Sequence, residues 1–141
     1  MAENLLKLEV VTPLKLAVSA EVSEISAPSV EGEFGVLPGH RDLLAALQHG
    51  IVTYKQEGRV KRAAVAPGFA EVRADRVVLL VERWVTAEQV DVDEVRDELA
   101  RAELKVKELS SHESTAEYEQ ARREERWAAV RLEVAKLQRD A

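Results

Sequence analysis

Three histidines, at 40, 49 and 112, are the side chains of this 141-residue sequence best suited to moving protons near neutral pH. They are scattered and show no metal-ligand spacing. There is no cysteine, which excludes disulfides, thiolate metal sites and a cysteine nucleophile. No H-E-x-x-H, G-x-S-x-G, G-x-G-x-x-G or phosphate-loop pattern occurs. Asp93-Glu94 is an adjacent acid pair at a helix start, and acids there cap the helix rather than form an acid/base dyad. The chain reads as a non-enzyme.

The densest motif is Glu31-Gly32-Glu33-Phe34-Gly35-Val36-Leu37-Pro38-Gly39-His40. Three glycines and a proline within eight residues demand special backbone angles, while Phe34, Val36 and Leu37 need burial. This is a tight turn, a short strand and a Pro-Gly turn. As plain turn chemistry it is a sandwich corner, and physics alone favours that reading. As a functional element it presents Glu33 and His40 to a partner.

The elements around this motif follow from the punctuation. All six glycines and all four prolines lie between Pro13 and Gly68, and the 73 residues beyond contain neither. Turn residues belong to strand-rich segments, and their absence permits long helices. Leu6, Leu8 and Val10 alternate with Lys7 and Glu9, and Leu14, Leu16 and Val18 repeat the pattern. Further runs are 22–25, 34–37, 51–54, 60–66, 69–72 and 77–81. Such spacing predicts a β-sandwich or barrel of about 85 residues. Residues 43–47 fit either a strand or a helical turn. The last run, Val77 to Val81, is continuously apolar and is expected to be central and buried, with its second face covered by the helices or by a partner.

Beyond residue 85 the period changes. Val92, Val95, Leu99, Ala102, Val106 and Leu109 form a heptad-like stripe, opened by Asp91 with Glu94 as cap. Ser114 with Glu117 offers a second start. Trp127, Val130, Val134 and Leu137 form a second stripe, with Ala121, Ala128 and Ala135 alongside. Two helices of roughly 19 and 25 residues, joined by a short polar loop, make an antiparallel hairpin. The expected fold is therefore an all-β sandwich over 1–85 followed by an α-helical hairpin over 86–141. The hairpin's stripes use Val and Ala more than Leu, so it is expected to be marginally stable by itself.

Composition narrows the function classes. Hydrophobic residues make up 46% and charged residues 33%, which excludes a disordered chain. Net charge is −6, so general nucleic-acid binding is not expected. Segment 86–141 carries 10 basic and 15 acidic residues against 10 and 11 in 1–85, as the solvated faces of a helical pair would. No apolar run approaches the roughly 20 residues a membrane span requires. Met1 to Val10 lacks a secretory pattern. The expectation is a soluble, acidic, intracellular protein.

At the glycine-rich block the sequence resembles the epsilon subunit family of bacterial F-type ATP synthases, the delta of mitochondrial nomenclature. Residues 31–40 are similar to that family's G-E-x-G-[IVL]-x-P-G-H. The resemblance extends through Val10-Val11-Thr12-Pro13, Leu43-Leu44, Gly68-Phe69-Ala70-Glu71-Val72 and Val77-Val78-Leu79-Leu80 to Asp91-Val92-Asp93-Glu94-Val95-Arg96, which resembles the D-[IL]-D-x-x-R opening the family's first helix. It implies a rotor part of the central stalk, peripheral on the cytoplasmic face of the bacterial inner membrane. Its partners would be the gamma subunit and the c-ring, with Glu33 and His40 on the c-ring. It would also contact the alpha and beta catalytic subunits when the hairpin extends to block hydrolysis. No catalytic residue, metal or obligatory cofactor is implied.

ATP is the one regulatory ligand the resemblance raises, with Asp93, Arg96, Arg122 and Arg126 as its binding residues. Departures weigh against it. Asp97 stands where nucleotide-binding members have Ala, and Glu103 where they have a further Arg; acids there repel phosphate. Ala66-Pro67 replaces the more usual Ser-Gly, and Arg41-Asp42 a small residue and Pro. The alternative to a rotor part is a freestanding sandwich that binds a small ligand and dimerises through its helices. The glycine-rich block, in register with the rest, decides for the rotor.

Overall fold

Alternation decides the first strand: Leu6, Leu8 and Val10 are fully buried while Lys7 points to solvent. In the computed structural model, which describes residues 4–139, the strands are β1 (Leu6–Val11), β2 (Leu16–Val22), β3 (Glu24–Ser29), β4 (Gly32–Val36) and β5 (Leu43–Leu47). They continue as β6 (Gly50–Gln56), β7 (Arg59–Val65), β8 (Gly68–Arg73), β9 (Arg76–Val81) and β10 (Trp84–Thr86). Met1–Glu3, on which part of the secretory reading rests, lie outside the described residues. The ambiguous segment 43–47 is a strand, held by five-residue pairing with β8.

The strands follow one hydrogen-bonded path, β10-β7-β6-β3-β5-β8-β9-β1-β2, with β4 attached to β3 alone. All pairings are antiparallel except β1 with β9. β3 is the corner, since it pairs with β4, β6 and, at Ser29, β5. There the path turns over and closes two layers on a core that includes Leu6, Leu8, Val10, Val52, Val72 and Leu79. Two glycines are required by geometry. A Cβ on Gly68 would sit 1.9 Å from the Leu80 carbonyl oxygen, and Gly39 holds φ at 86° in the Pro-Gly turn.

β9 is central, between β8 and β1, but only one of its faces is buried. Val77, Leu79 and Val81 fill the core, whereas Leu80 is 52% exposed. β10 had no sequence signal of its own: three residues are too few for periodicity to register. Its pairing with β7 carries the sandwich through Thr86, one residue past the expected boundary.

The helices are α1 (Val92–Glu108) and α2 (Ala116–Arg139). Asp91 caps α1 as expected, its carboxylate accepting the Glu94 N–H at 3.2 Å. α2 is capped by Thr115 rather than Ser114: the Thr115 hydroxyl accepts the Tyr118 N–H at 3.2 Å. The Ser114 and Thr115 frames offer the same chemistry, and the 3-10 turn at Ser110–His112 selects the later one.

The hairpin is folded onto the sandwich. The stripe through Trp127 and Val134 packs on β7 and the segment after it, in a second cluster with Ala64, Ala66 and Ala87. Leu137, the last residue of that stripe, is left exposed. Ala64 and Ala66 are small because a helix lies directly over them, on the outer face of the β6–β7 layer.

Candidate functional site

The layer opposite the hairpin carries an uncovered apolar row. Cross-strand register aligns Leu16, Val11, Leu80, Phe69 and Ala46 across β2, β1, β9, β8 and β5. Leu16, Phe69 and Leu80 are each more than half exposed. With Pro13 and Pro67, the Val11, Leu80, Phe69 and Ala46 part of this row borders a shallow depression of about 600 Å³. The next row on the same face is Glu9, Val78, Glu71 and Leu44, and the one beyond is Lys7, Arg76 and Arg73. The first of these rows mixes acids with Val78 and the exposed Leu44, the second is basic, and Arg76 bonds Glu9 between them. An apolar strip bounded by charge is the anatomy of a protein–protein contact. Sequence reasoning found only Leu80 of this row. The others occupy exposed parity positions on separate strands, and pairing alone brings them together.

The glycine-rich block is rigid at both ends of β4. Before it, the Ser29 hydroxyl donates to the Gly32 carbonyl at 2.6 Å and accepts the Glu31 N–H at 3.1 Å. After it, the Gly39 N–H donates to the Asp75 carboxylate at 2.7 Å, and the His40 N–H to the Leu37 carbonyl at 3.0 Å. Asp75 lies in the β8–β9 turn between Arg73 and Arg76, so this end of the block is tied to the basic row. Glu33 is exposed on β4 opposite Pro28. The His40 imidazole Nδ1 lies 2.6 Å from the Arg41 carbonyl oxygen. The two residues thus sit at opposite ends of β4, and no hydrogen bond or ion pair joins them among the described residues. They are two separate points of one edge, not a pair.

The contact that holds the hairpin down centres on Trp127, buried to 5% exposure. The guanidinium groups of Arg83 and Arg131 lie 5.7 and 5.2 Å from its ring centroid, and the His49 ring lies 6.5 Å away. Arg83 also pairs with Glu124 at 3.5 Å, and Arg131 with Glu98 of α1. Trp127 therefore joins α2, α1 and the β9–β10 turn at one place. Sequence reasoning placed Trp127 in a stripe but missed its partners. The available signal was its size, alone among valines and alanines.

The four residues associated with a nucleotide are not gathered. Asp93 and Arg96 form an exposed pair at 4.0 Å near the start of α1. Arg122 pairs with Glu125 at 3.5 Å on α2. The Glu98–Arg131 pair sets the level at which the antiparallel helices meet. Arg96 lies two residues before Glu98, while Arg126 and Arg122 lie five and nine before Arg131, in the opposite direction along the axis. At 1.5 Å rise per residue, Arg96 is offset from Arg126 by about 10 Å and from Arg122 by about 16 Å. Among the described residues no group of three metal-ligating side chains converges, and no helix is long and apolar enough to cross a membrane.

Residues 5–87 match the family described as ATP synthase, delta/epsilon chain, beta-sandwich domain. The ATP synthase epsilon chain of Geotalea uraniireducens is 42% identical over 135 residues, covering 96% of each chain. That of Geobacter sulfurreducens is 40% identical over the same span and coverage. A chain in the Euglena gracilis mitochondrial ATP synthase (OSCP/F1/c-ring) shares the fold with a TM-score of 0.75 at 22% identity, over 96% of this chain and 82% of that one. With its sandwich matched to the family and its helices included in a near-full-length likeness to epsilon chains, the chain belongs to the ATP synthase delta/epsilon family.

Proposed function

We propose that this chain is the central-stalk rotor subunit of a proton-translocating F-type ATP synthase, linking the gamma subunit to the c-ring and restraining ATP hydrolysis through its helices. It is non-catalytic, as its epsilon-chain relatives are. The supporting observation is the pairing of that likeness with the fold's asymmetry. One outer face is covered by the hairpin, while the other keeps Phe69 and Leu80 bare. A stalk subunit needs such a face. We assign it to gamma, and the Glu31–His40 edge to the c-ring. The extended hairpin would meet the alpha and beta subunits. The chain would then act within a membrane-associated complex, on the cytoplasmic face of a bacterial inner membrane.

The gamma assignment is tested by Phe69→Asp with Leu80→Asp. Both side chains already face water, so the isolated fold should keep its stability. Affinity for gamma should fall roughly 10- to 100-fold, because fully burying one apolar side chain contributes about 1.5–3 kcal/mol and each of these two has about half of itself left to bury. Unchanged affinity in a binding titration would move gamma to another surface. The c-ring assignment is tested by Glu33→Ala with His40→Ala. ATP made per proton in membrane vesicles should fall roughly twofold, each rim hydrogen bond being worth about 1 kcal/mol. Coupling equal to the wild type would remove the c-ring from this edge.

The proposal includes no bound nucleotide. Arg96 is offset from Arg122 and Arg126 in the folded hairpin, and the acid of Asp97 follows it directly. A dimerising module is not favoured either: Trp127 and Val134, the centre of the stripe that would pair two copies, are already buried against the sandwich.

A further inference from the structure

The β5–β6 connection passes under the hairpin, and it places His49 at the one point where α2, the β9–β10 turn and the sandwich meet. His49 is half-buried against Trp127, with ring centroids 6.5 Å apart and planes at 49°. A small polar cavity of about 110 Å³ lies there, lined by His49, Glu82, Arg83, Arg123, Glu124 and Trp127.

The charges facing His49 are unbalanced. From α2 come Arg123 and Arg126; from the turn before β10 come Glu82 and Arg83. Glu124 of α2 is engaged by Arg83 at 3.5 Å and by Gln120 at 3.0 Å. The attractive face of Trp127 is already taken by Arg83 and Arg131. An imidazolium would therefore enter a desolvated site beside three arginines, with Glu82 as its main unengaged counter-charge.

We propose that His49 is a proton-sensitive latch: neutral, it lets the hairpin dock on the sandwich, and protonated, it releases it. The direction of its titration agrees. Burial, and then Arg126, hold the imidazole below its ordinary value of 6.5, with Arg83 and Arg123 acting the same way and Glu82 opposing. When the hairpin lifts away, the burial and the two α2 arginines go with it, and the imidazole returns towards 6.5. The undocked form thus binds more protons between the docked value and 6.5. Docking is at full strength above that window, weakens as pH falls through it, and is constant below it. One proton links to one docking event, so the docking constant changes by at most about tenfold per pH unit. On the rotor reading, acidification would shift the hairpin towards its extended, restraining form; the latch itself does not depend on that reading.

The test uses the full chain alone. The sequence has no cysteine, so Glu71→Cys and Ser114→Cys give two unique label sites, on the opposite face and at the hairpin tip. The label distance is followed from pH 8 to pH 5. The expected result is a several-fold fall in the ratio of docked to undocked molecules on acidification, with the dependence flattened in His49→Gln and retained in His40→Gln and His112→Gln. His49→Lys should undock at every pH. If His49→Gln keeps the wild-type pH dependence, the latch is wrong. Should His49→Gln fail to dock, the wild-type imidazole signals decide. His49 titrating below the ordinary value of 6.5 supports the proposal, and His49 titrating at or above it overturns it. Because no other subunit is present, failure here leaves the rotor assignment standing, and failure to bind gamma leaves the latch standing.

Discussion

Trp127→Ala is expected to release the hairpin from the sandwich in most molecules. Trp127 is 5% exposed and is the largest of the cluster's buried side chains, the others being Ala64, Ala66, Ala87 and Val134 among the described residues. Truncating a buried Trp to Ala costs about 3–5 kcal/mol, because the lost contacts are not replaced when the surroundings cannot close the gap. Alanines on a hydrogen-bonded strand have no reach with which to close it. Arg83, the cation that reaches the ring from the sandwich side, also loses its face, at about 0.5–1 kcal/mol. What remains is Val134 with the partly buried Val130, Ile51, Val85 and Val90, and the exposed Arg83–Glu124 pair, and an exposed pair contributes about 0–1 kcal/mol. Trp127→Phe should retain a substantial part of the docking by keeping an aromatic face. The sandwich should melt as before, since its main core lies on the other side of β7. Hydrogen exchange reads both quantities at once. Lost protection along α2 with unchanged protection in β1 and β9 is the expected pattern. Wild-type protection of α2 would show that the hairpin is held elsewhere.

Removing the hairpin altogether should leave a folded sandwich that assembles on the stalk and no longer restrains hydrolysis. The cut belongs after Val90 rather than at residue 85, because β10 pairs with β7 through Thr86 and Gln89 accepts the Thr86 N–H at 2.9 Å. Residues 1–90 keep every strand and the whole of the main core. The surface newly bared is mostly Ala64 and Ala66, with Ile51 and Val85, and is small enough to tolerate water. Gamma affinity should stay within about twofold of the full chain, since the proposed gamma face lies on the opposite layer. ATPase of the reconstituted complex should rise to the rate seen without any restraint. Lost gamma binding would make the hairpin a structural element. An unaltered ATPase rate would deny it an inhibitory role in this protein.

The sequence by itself determined the class of fold, the place where strands give way to helices, and the kinship carried by residues 31–40. These are local properties. Alternation in β1, the Pro38-Gly39 turn and the Asp91 cap each depend on residues a few positions apart, so period and turn chemistry report them directly. Only the tertiary structure decided which faces are covered. Val77–Val81 reads as buried on both sides, yet Leu80 is bare, because the hairpin chose the β6–β7 layer, where Ala64 and Ala66 leave room for a helix. The row from Leu16 to Ala46 unites five strands through register, and register is a pairing between distant segments that no single window contains. The same holds for Trp127 and His49, 78 positions apart in the chain and in ring contact in the fold. It holds in reverse for Arg96 and Arg122, which the family resemblance associates with one ligand and helix rise sets apart. Local spacing shows what a segment can become; long-range packing decides what it touches.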